Sequence, residues 1–282
     1  MIYYLFDNKV KGVSLKDIAV EKDIYRLKEL TEEEITFLLK LFEARDIHLI
    51  NDLNRDWINI FHRVFQYKRN TKIHTNQSIN TMIDELEQNL SEDLHMRIEE
   101  FGFSYLDSLY RHDCSFFENE DKKSEFLLFF FVQFCRTKKM KDSISSINGR
   151  GHLAFDKAWN IMVFIMATNV AMRIFAEKND WELILLSNNS SIPFITSDQP
   201  IINLYAKNTP DENEKLEKNE FELYYPIAPQ IAVVLKRKDS AFIDYKLLND
   251  ITINYLNIKM KNESYLQVFS NSKDYLDVIK NA

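Results

Sequence analysis

Apolar residues return with a helical period through the middle of the chain. They recur at three- and four-residue intervals in four segments, at 52–67, 78–90, 91–110 and 122–139. This spacing predicts amphipathic helices, because it places the apolar residues on one face. Thr31 and Glu34 match a capping box before a further helix, since each side chain can accept a hydrogen bond from the other's backbone N–H group. Residues 155–178 form the most apolar helical segment, which predicts the central helix of the core, so that 31–178 holds about six helices.

Alternating patterns replace the helical period at both ends of the chain. Residues 1–16 hold two short β-prone runs separated by Asp7 and Asn8, which predicts an opening β-hairpin. Beyond residue 180 the β-prone runs are short, at 181–186, 193–196, 201–205, 221–225, 231–235 and 265–269. Helical spacing returns at 249–261 and 273–280. These patterns make 181–282 a strand-rich region.

One segment of the strand-rich region is too polar to be buried. Residues 207–220 are rich in Glu, Lys and Asn and contain Pro210, so we expect a mobile loop there. The chain as a whole predicts an α+β fold, in which the helical middle packs on a mostly antiparallel sheet formed by the N-terminal hairpin and the C-terminal third. We treat 1–282 as a single domain. Its four glycines and five prolines are too few for the many tight turns of an all-β sandwich.

Charge narrows the range of partners. The net charge is −7, with 36 basic and 43 acidic residues intermixed, so no overall field draws the chain onto a phosphate backbone. The one dense basic stretch, 136–141, is typical of a helix C-terminus that complements the helix dipole. Binding to nucleic acid therefore needs a local basic patch.

Cysteine content and apolar run length bear on the compartment. Cys114 and Cys135 are too few for a disulfide framework, so we expect reduced thiols in a cytoplasmic protein. The longest uncharged apolar run, 126–135, is about half the ~20 residues that a membrane-spanning helix needs. We therefore expect no membrane partner.

Four segments, in order, resemble the domain-of-unknown-function 4238 family. They are IYYLFDNKVKGVSLKDIAVEKDIY near the start, VQFCRT ending at Thr137, FITSDQP ending at Pro200, and YPIAPQIAVVL ending at Leu235, with a weaker fifth piece around Leu248, Asn249 and Asn254. Members of that family usually begin with a His-x-x-Pro segment, which this sequence lacks. Either the chain is shortened or it is a variant without that histidine. The resemblance implies candidate positions and no settled activity.

The turn in FITSDQP holds the first candidate residues. Asp198 can hold a tight turn by accepting hydrogen bonds from backbone N–H groups two residues on. Alternatively, Asp198 with Ser197 lies at the rim of a cleft as a general base, a metal ligand or a substrate anchor, since functional sites favour turns held by a rigid sheet. The sequence leaves both interpretations open.

The second candidate group lies on helices. Gln133 and Arg136 are one turn apart, and the arginine can either form a structural bridge with Asp198 or offer its guanidinium to a phosphate or carboxylate ligand. Asn169, with Asn160 and Arg173 along the apolar central helix, either lines a polar pocket or faces the solvent-exposed side of that helix. Asn254 joins these candidates because the resemblance includes it.

Two further motifs are weak. The dipeptide His112-Asp113 resembles that of metal-dependent phosphohydrolases but has no well-placed partner histidine. Arg69-Asn70 followed by His74 fits the Arg-polar-x-x-x-His motif of HEPN ribonucleases, although the strand-rich third is foreign to that domain. We do not base the assignment on either motif.

Two functions follow as hypotheses. The first is an effector-type hydrolase acting on nucleic acid or a nucleotide, in phage defence, with Arg136 and Asp198 as catalytic residues and Ser197, Gln133, Asn169 and Asn254 contacting the substrate. Its metal requirement is open, and a divalent metal is compatible with Asp198. The alternative is a non-catalytic subunit that binds a protein partner, which predicts a wide apolar surface patch without a convergent polar pocket. The sequence leaves the oligomeric state open.

Overall fold

The structure is a computed structural model that describes most of the chain. It covers residues 2–7, 9–13, 25–71, 77–147, 152–206, 221–240, 242–245 and 248–280. The segment 207–220, predicted to be a mobile loop, lies outside the described residues, and so does His74 of the weak ribonuclease motif.

Helices dominate the middle of the chain, as predicted. The described residues form eight α-helices, six of them within 31–178 and two in the C-terminal third, together with a 3₁₀ helix, Ser115–Glu118. The α-helices are α1 Glu32–Leu41, α2 His48–Thr71, α3 Gln77–Tyr110, α4 Glu120–Cys135, α5 Lys138–Ile147, α6 His152–Ala176, α7 Asp250–Glu263 and α8 Lys273–Ile279. The Thr31–Glu34 capping box begins α1, with both reciprocal hydrogen bonds present.

Two helix boundaries differ from prediction for local reasons. A break predicted between residues 90 and 91 is absent, because no Gly or Pro interrupts the helix there and Ser91 is buried within α3. The helix predicted over 122–139 instead ends at Cys135, and α5 begins at Lys138. Thr137 starts α5, since its hydroxyl accepts a hydrogen bond from Met140 N at 3.3 Å.

Within the described part of the chain, eight strands form two antiparallel sheets rather than the single sheet we predicted. The strands are β1 Ile2–Phe6, β2 Lys9–Val13, β3 Trp181–Ser187, β4 Thr196–Ser197, β5 Ile202–Asn203, β6 Glu222–Ala228, β7 Ile231–Arg237 and β8 Val268–Ser270. One sheet has the order β2-β1-β8-β4 and the other β3-β7-β6-β5. The N-terminal hairpin does pair with the C-terminal third, because β1 and β8 are neighbours. Local sequence patterns do not specify which distant strands pair, and this explains the error in sheet number.

The sheet β3-β7-β6-β5 separates two hydrophobic cores. Along β7, Val233 and Leu235 pack into the helical core, whereas Ala232 and Val234 pack into the second core with α7 and α8. Successive strand residues point to opposite faces, so a strand covered on both faces reads as a continuous apolar run. The second core is small and includes Tyr224, which is fully buried.

Helix α6 is the central helix of the larger core. Its stretch Phe155–Ala176 is long and apolar enough to cross a membrane, and 67% of it is buried inside the fold. Core helices of soluble proteins pass the same length and composition test, so the stretch is weak evidence for a membrane span. Helix α3 also packs against α4. Gly102 of α3 allows the two helices to approach closely, because a Cβ added there would overlap the Phe129 ring of α4.

Candidate functional site

The end of α4 meets the turn of FITSDQP through two side chains that the sequence analysis did not select. The Thr137 hydroxyl donates a hydrogen bond to Gln199 Oε1. Gln199 Nε2 in turn donates to the Ile201 carbonyl oxygen at 2.8 Å. Both residues are buried. They lie inside the segments VQFCRT and FITSDQP that carry the family resemblance. Their position in these segments is the sequence signal that could have identified them.

Ser197 holds the turn from within. Its hydroxyl donates to the Gln199 carbonyl oxygen at 2.8 Å and accepts from Gln199 N at 3.1 Å. The Met260 sulfur lies 3.2 Å away. The side chain is buried, so in this conformation its hydroxyl is committed to local structure.

Asp198 binds backbone N–H groups, but from a distant segment rather than two residues on. Its carboxylate accepts hydrogen bonds from the N–H groups of Tyr265, Leu266 and Gln267 at 2.9, 2.7 and 3.0 Å. Its own N–H donates to the Gln267 carbonyl oxygen at 3.1 Å. Both carboxylate oxygens are therefore engaged, and the residue fixes the chain that leads into β8.

Arg136 has a different acidic partner from the one we predicted. The guanidinium forms an ion pair with Glu99 on α3. The bridge between Arg136 and Asp198 does not form, because Asp198 is occupied by backbone donors of the strand layer. The side chains of Arg136 and Glu99 are 30% and 33% exposed, so solvent reaches both.

Five side chains lie within electrostatic reach of one another here, and we call them the arginine cluster. The cluster consists of Tyr25, His95, Glu99, Arg136 and Tyr225. Helix α3 supplies two members one turn apart, the C-terminus of α4 supplies the arginine, and β6 supplies Tyr225. The cluster thus joins the helical region to the sheet.

His95 is a neutral imidazole inside the cluster. Its ring lies 5.2 Å from the Tyr25 ring and 4.7 Å from the Phe164 ring, measured between centroids. Burial, followed by the nearby Arg136 charge, lowers the pKa of His95 to about 3. It is therefore uncharged at neutral pH, and it cannot act as a general acid there.

Several polar groups around Arg136 have no hydrogen-bond partner in the described part of the chain. His95 Nδ1 and the Ser91 hydroxyl, one turn earlier on α3, are buried and unpaired. Gln133, one turn before Arg136, is also buried. Burial raises the pKa of Tyr225 to about 12, so its hydroxyl keeps its proton. A ligand could satisfy such groups, which are costly when buried alone.

The two remaining candidate asparagines lie elsewhere. Asn169 on α6 is half-buried, and its Oδ1 is unpaired among the described residues. Asn254 on α7 accepts a hydrogen bond from the Tyr275 hydroxyl at 2.7 Å, which joins α7 to α8. The sequence analysis missed Asn257, which is fully buried and accepts from Ile195 N at 3.1 Å. Asn254 and Asn257 therefore support the second core.

The basic stretch and the weak motifs are engaged in local contacts. Lys139 pairs with Glu263 at 2.6 Å and Lys141 with Asp156 at 3.3 Å, so these charges do not form a free patch. His112 Nδ1 lies 2.9 Å from the Ser187 hydroxyl, and Asp113 accepts a hydrogen bond from Ser115 N. Arg69 pairs with Glu29. Across the described ranges, no group of three or more His, Cys, Asp or Glu side chains could hold a metal ion.

Comparison with known proteins gives one match. Residues 160–274 match the family model described as Protein of unknown function (DUF4238). The match confirms the resemblance found in the sequence and includes the turn with Asp198, whereas Arg136 and Glu99 lie before it. Neither the curated proteins nor the solved structures contain a match to this chain.

Proposed function

We propose that this DUF4238-matching chain is a hydrolase that acts on a nucleotide or nucleic acid at the arginine cluster. The observation that carries the proposal is the part-exposed Arg136–Glu99 pair, with the buried, unpaired polar groups of His95 and Ser91 on the two preceding turns of α3. Perturbed and unsatisfied polar groups concentrate at functional sites, because their cost is balanced only when a ligand binds.

Each member of the pair has a chemical role in this proposal. Arg136 donates to the oxygens of the scissile phosphate, since a guanidinium fork matches phosphate geometry and stabilises the charge that develops there. Glu99 accepts a proton from the attacking water as general base. The water oxygen bonds to phosphorus, and the bond to the leaving oxygen breaks. Gln133, on the turn of α4 before Arg136, orients the phosphate.

The charge distribution favours a small substrate over a long nucleic acid. The chain has net charge −7, and the lysines that follow Arg136 are held in ion pairs. A nucleic acid needs several free cations along its backbone, whereas a nucleotide needs one strong phosphate contact. We therefore rank a nucleotide above RNA or DNA.

The experiment is hydrolysis by the purified chain and by Arg136→Gln and Glu99→Gln. The panel comprises nucleoside mono- and triphosphates, RNA and DNA, each with Mg²⁺, with Mn²⁺ and with chelator. We expect each substitution to lower kcat/KM about 100-fold, because it removes a transition-state contact or the base.

The matched control is Arg111→Gln, which removes an equally charged arginine from an exposed pair with Asp107 on α3. Its activity should equal that of the wild type. A wild type inactive on the whole panel, or an Arg136→Gln variant as active as Arg111→Gln, contradicts the proposal.

A groove elsewhere supports the alternative of a non-catalytic interaction subunit. The groove, of about 390 Å³, lies between α2, α4 and α6, and its walls are mostly apolar, including Trp57, Leu128, Met172 and Phe175. Apolar surface of this kind is typical of protein contacts. If Met172→Lys abolishes co-purification of a specific protein that Val278→Lys retains, the interaction role gains support; equal retention removes it.

A further inference from the structure

A second polar cleft lies at the opposite end of α4 from the arginine cluster. It has a volume of about 370 Å³ and lies between the 3₁₀ helix, the first turn of α4 and the start of β3. Three lysines line it, Lys123, Lys178 and Lys238, and we call it the lysine cleft. Lys123 and Arg136 are 13 residues apart, which places the two sites about 20 Å apart along the helix.

The carboxylates at the lysine cleft do not neutralise all three lysines. Lys178 pairs with Glu120 at 2.5 Å. Glu182 also lines the cleft and pairs with Lys236 at 2.9 Å. Glu118, the third glutamate of the lining, is left to balance Lys123 and Lys238. With Lys236 counted, four lysines stand against three glutamates, so one positive charge is in excess.

Neither Lys123 nor Lys238 has an acidic partner in the residues that the structure describes. Lys123 Nζ lies over the Phe117 ring, 4.7 Å from its centroid, and Lys238 is exposed. Burial, reinforced by Lys238 and Lys178 and opposed by Glu118 and Glu120, lowers the pKa of Lys123. An anion bound between Lys123 and Lys238 would offset the repulsion between their positive charges.

The wall of the lysine cleft also holds an unsatisfied donor. Trp181 lines the cleft, its side chain is 8% exposed, and its Nε1 is buried without a hydrogen-bond partner in the described chain. Indole N–H is a donor only, so it suits an anionic or carbonyl acceptor. The cleft volume lies in the range of about 300–1,000 Å³ typical of small-molecule sites and exceeds what a lone phosphate fills.

We propose that the lysine cleft binds the phosphate group of a small organic molecule, with Lys123 and Lys238 contacting the phosphate and Trp181 lining the wall. The site is separate from the arginine cluster and does not depend on hydrolysis there. It is an additional ligand site on the same chain.

Isothermal titration of the full chain with AMP, ribose 5-phosphate and pyrophosphate tests the site. Lys123→Gln and Lys238→Gln should each weaken binding of the organic phosphates about tenfold, because each removes one charge-assisted contact. AMP or ribose 5-phosphate should bind more tightly than pyrophosphate. Pyrophosphate binding that is equal or tighter would show a site for inorganic anions and overturn the organic assignment.

The matched control is Lys259→Gln. Lys259 also lies over an aromatic ring, that of Phe242, at 5.4 Å, but on α7 away from the cleft. It should bind the ligands within about twofold of the wild type. No saturable binding to the wild type, or equal losses in Lys123→Gln and Lys259→Gln, overturns the proposal. Arg136→Gln serves to separate the two sites, because AMP can also bind at the arginine cluster. The binding that remains in this variant should be that of the lysine cleft, and it should still be weakened by Lys123→Gln.

Discussion

Two residues of β6, Glu222 and Tyr225, lie in regions that differ in how buried polar groups are satisfied. Glu222, at the start of the strand, is fully buried, yet it accepts hydrogen bonds from the Ser240 hydroxyl at 2.5 Å, from Phe242 N at 2.8 Å and from the Tyr245 hydroxyl. Tyr225, in the middle of the strand, belongs to the arginine cluster, where His95 Nδ1 is buried without a partner among the described residues. A satisfied network holds the fold together, whereas unpaired groups mark a place that a ligand can complete.

Asp198 belongs with Glu222 in this comparison. Three backbone N–H groups occupy its carboxylate, so its geometry is that of a structural anchor. The contrast therefore separates two residues that the sequence analysis had grouped as a catalytic pair. It predicts that substitutions at Glu222 and Asp198 act on stability and those at Arg136 on activity.

The largest effect is expected from Glu222→Ala. The substitution removes the acceptor of three donors, one buried and two part-buried, so the free energy of unfolding should fall by about 3–5 kcal/mol. Urea unfolding followed by circular dichroism measures it. Glu222→Gln should lose less, because its amide oxygen keeps one acceptor.

Glu100→Ala is the control for this substitution, since Glu100 is exposed on α3 and its truncation should change stability by less than about 0.5 kcal/mol. A Glu222→Ala variant as stable as the control would mean that the network contributes nothing to the fold.

The sequence predicted what local patterns specify. The Thr31–Glu34 capping box, the helical middle and the opening hairpin are all present, because each depends on residues close in the chain. The division into two sheets was missed, since pairing of β1 with β8 joins residues more than 260 positions apart. Propensity contains no information on such partners.

Sequence patterns also do not predict which distant side chains meet at the candidate site. The sequence analysis selected Arg136 and Gln133 as polar residues at the end of an apolar helix, but it did not select Glu99 or His95. They lie on α3 among many other charged residues, and only the packing of α3 on α4 brings Glu99 to the guanidinium. Gly102, one turn later, permits that close approach.

A smaller effect is expected from Asp198→Asn. An amide keeps one acceptor oxygen but presents N–H donors to the remaining backbone N–H groups, so unfolding free energy should fall by about 2 kcal/mol. Hydrogen exchange should also accelerate at the amides of Tyr265, Leu266 and Gln267. Asp107→Asn, in an exposed pair with Arg111, is the control and should change neither quantity. Unchanged exchange at the three amides would contradict the anchor role.

The pH dependence of stability tests the arginine cluster, in which His95 is buried. The pKa of His95 is about 3 in the folded chain, chiefly through burial and then through Arg136, against an ordinary value of 6.5. Between these values the unfolded chain binds a proton that the folded chain does not, so stability is lost as pH falls. From pH 6.5 to 5 the contribution of His95 should be about 2 kcal/mol, and His95→Gln should remove it.

His48→Gln should leave the slope unchanged, because His48 is exposed. Urea unfolding at pH 6.5 and pH 5 provides the measurement, and an identical slope in the wild type and in His95→Gln would show that the imidazole is not held neutral by its surroundings.

The variant Arg136→Gln tests the second cause of the lowered pKa. Because its charge is the smaller cause of the lowered pKa, its removal should raise the pKa of His95 partly and leave most of the slope between pH 6.5 and 5 in place. If the slope of unfolding free energy against pH in this variant differs from that of the wild type only below pH 5, the imidazole and the guanidinium interact electrostatically. Such an interaction is required if the two groups share one ligand site.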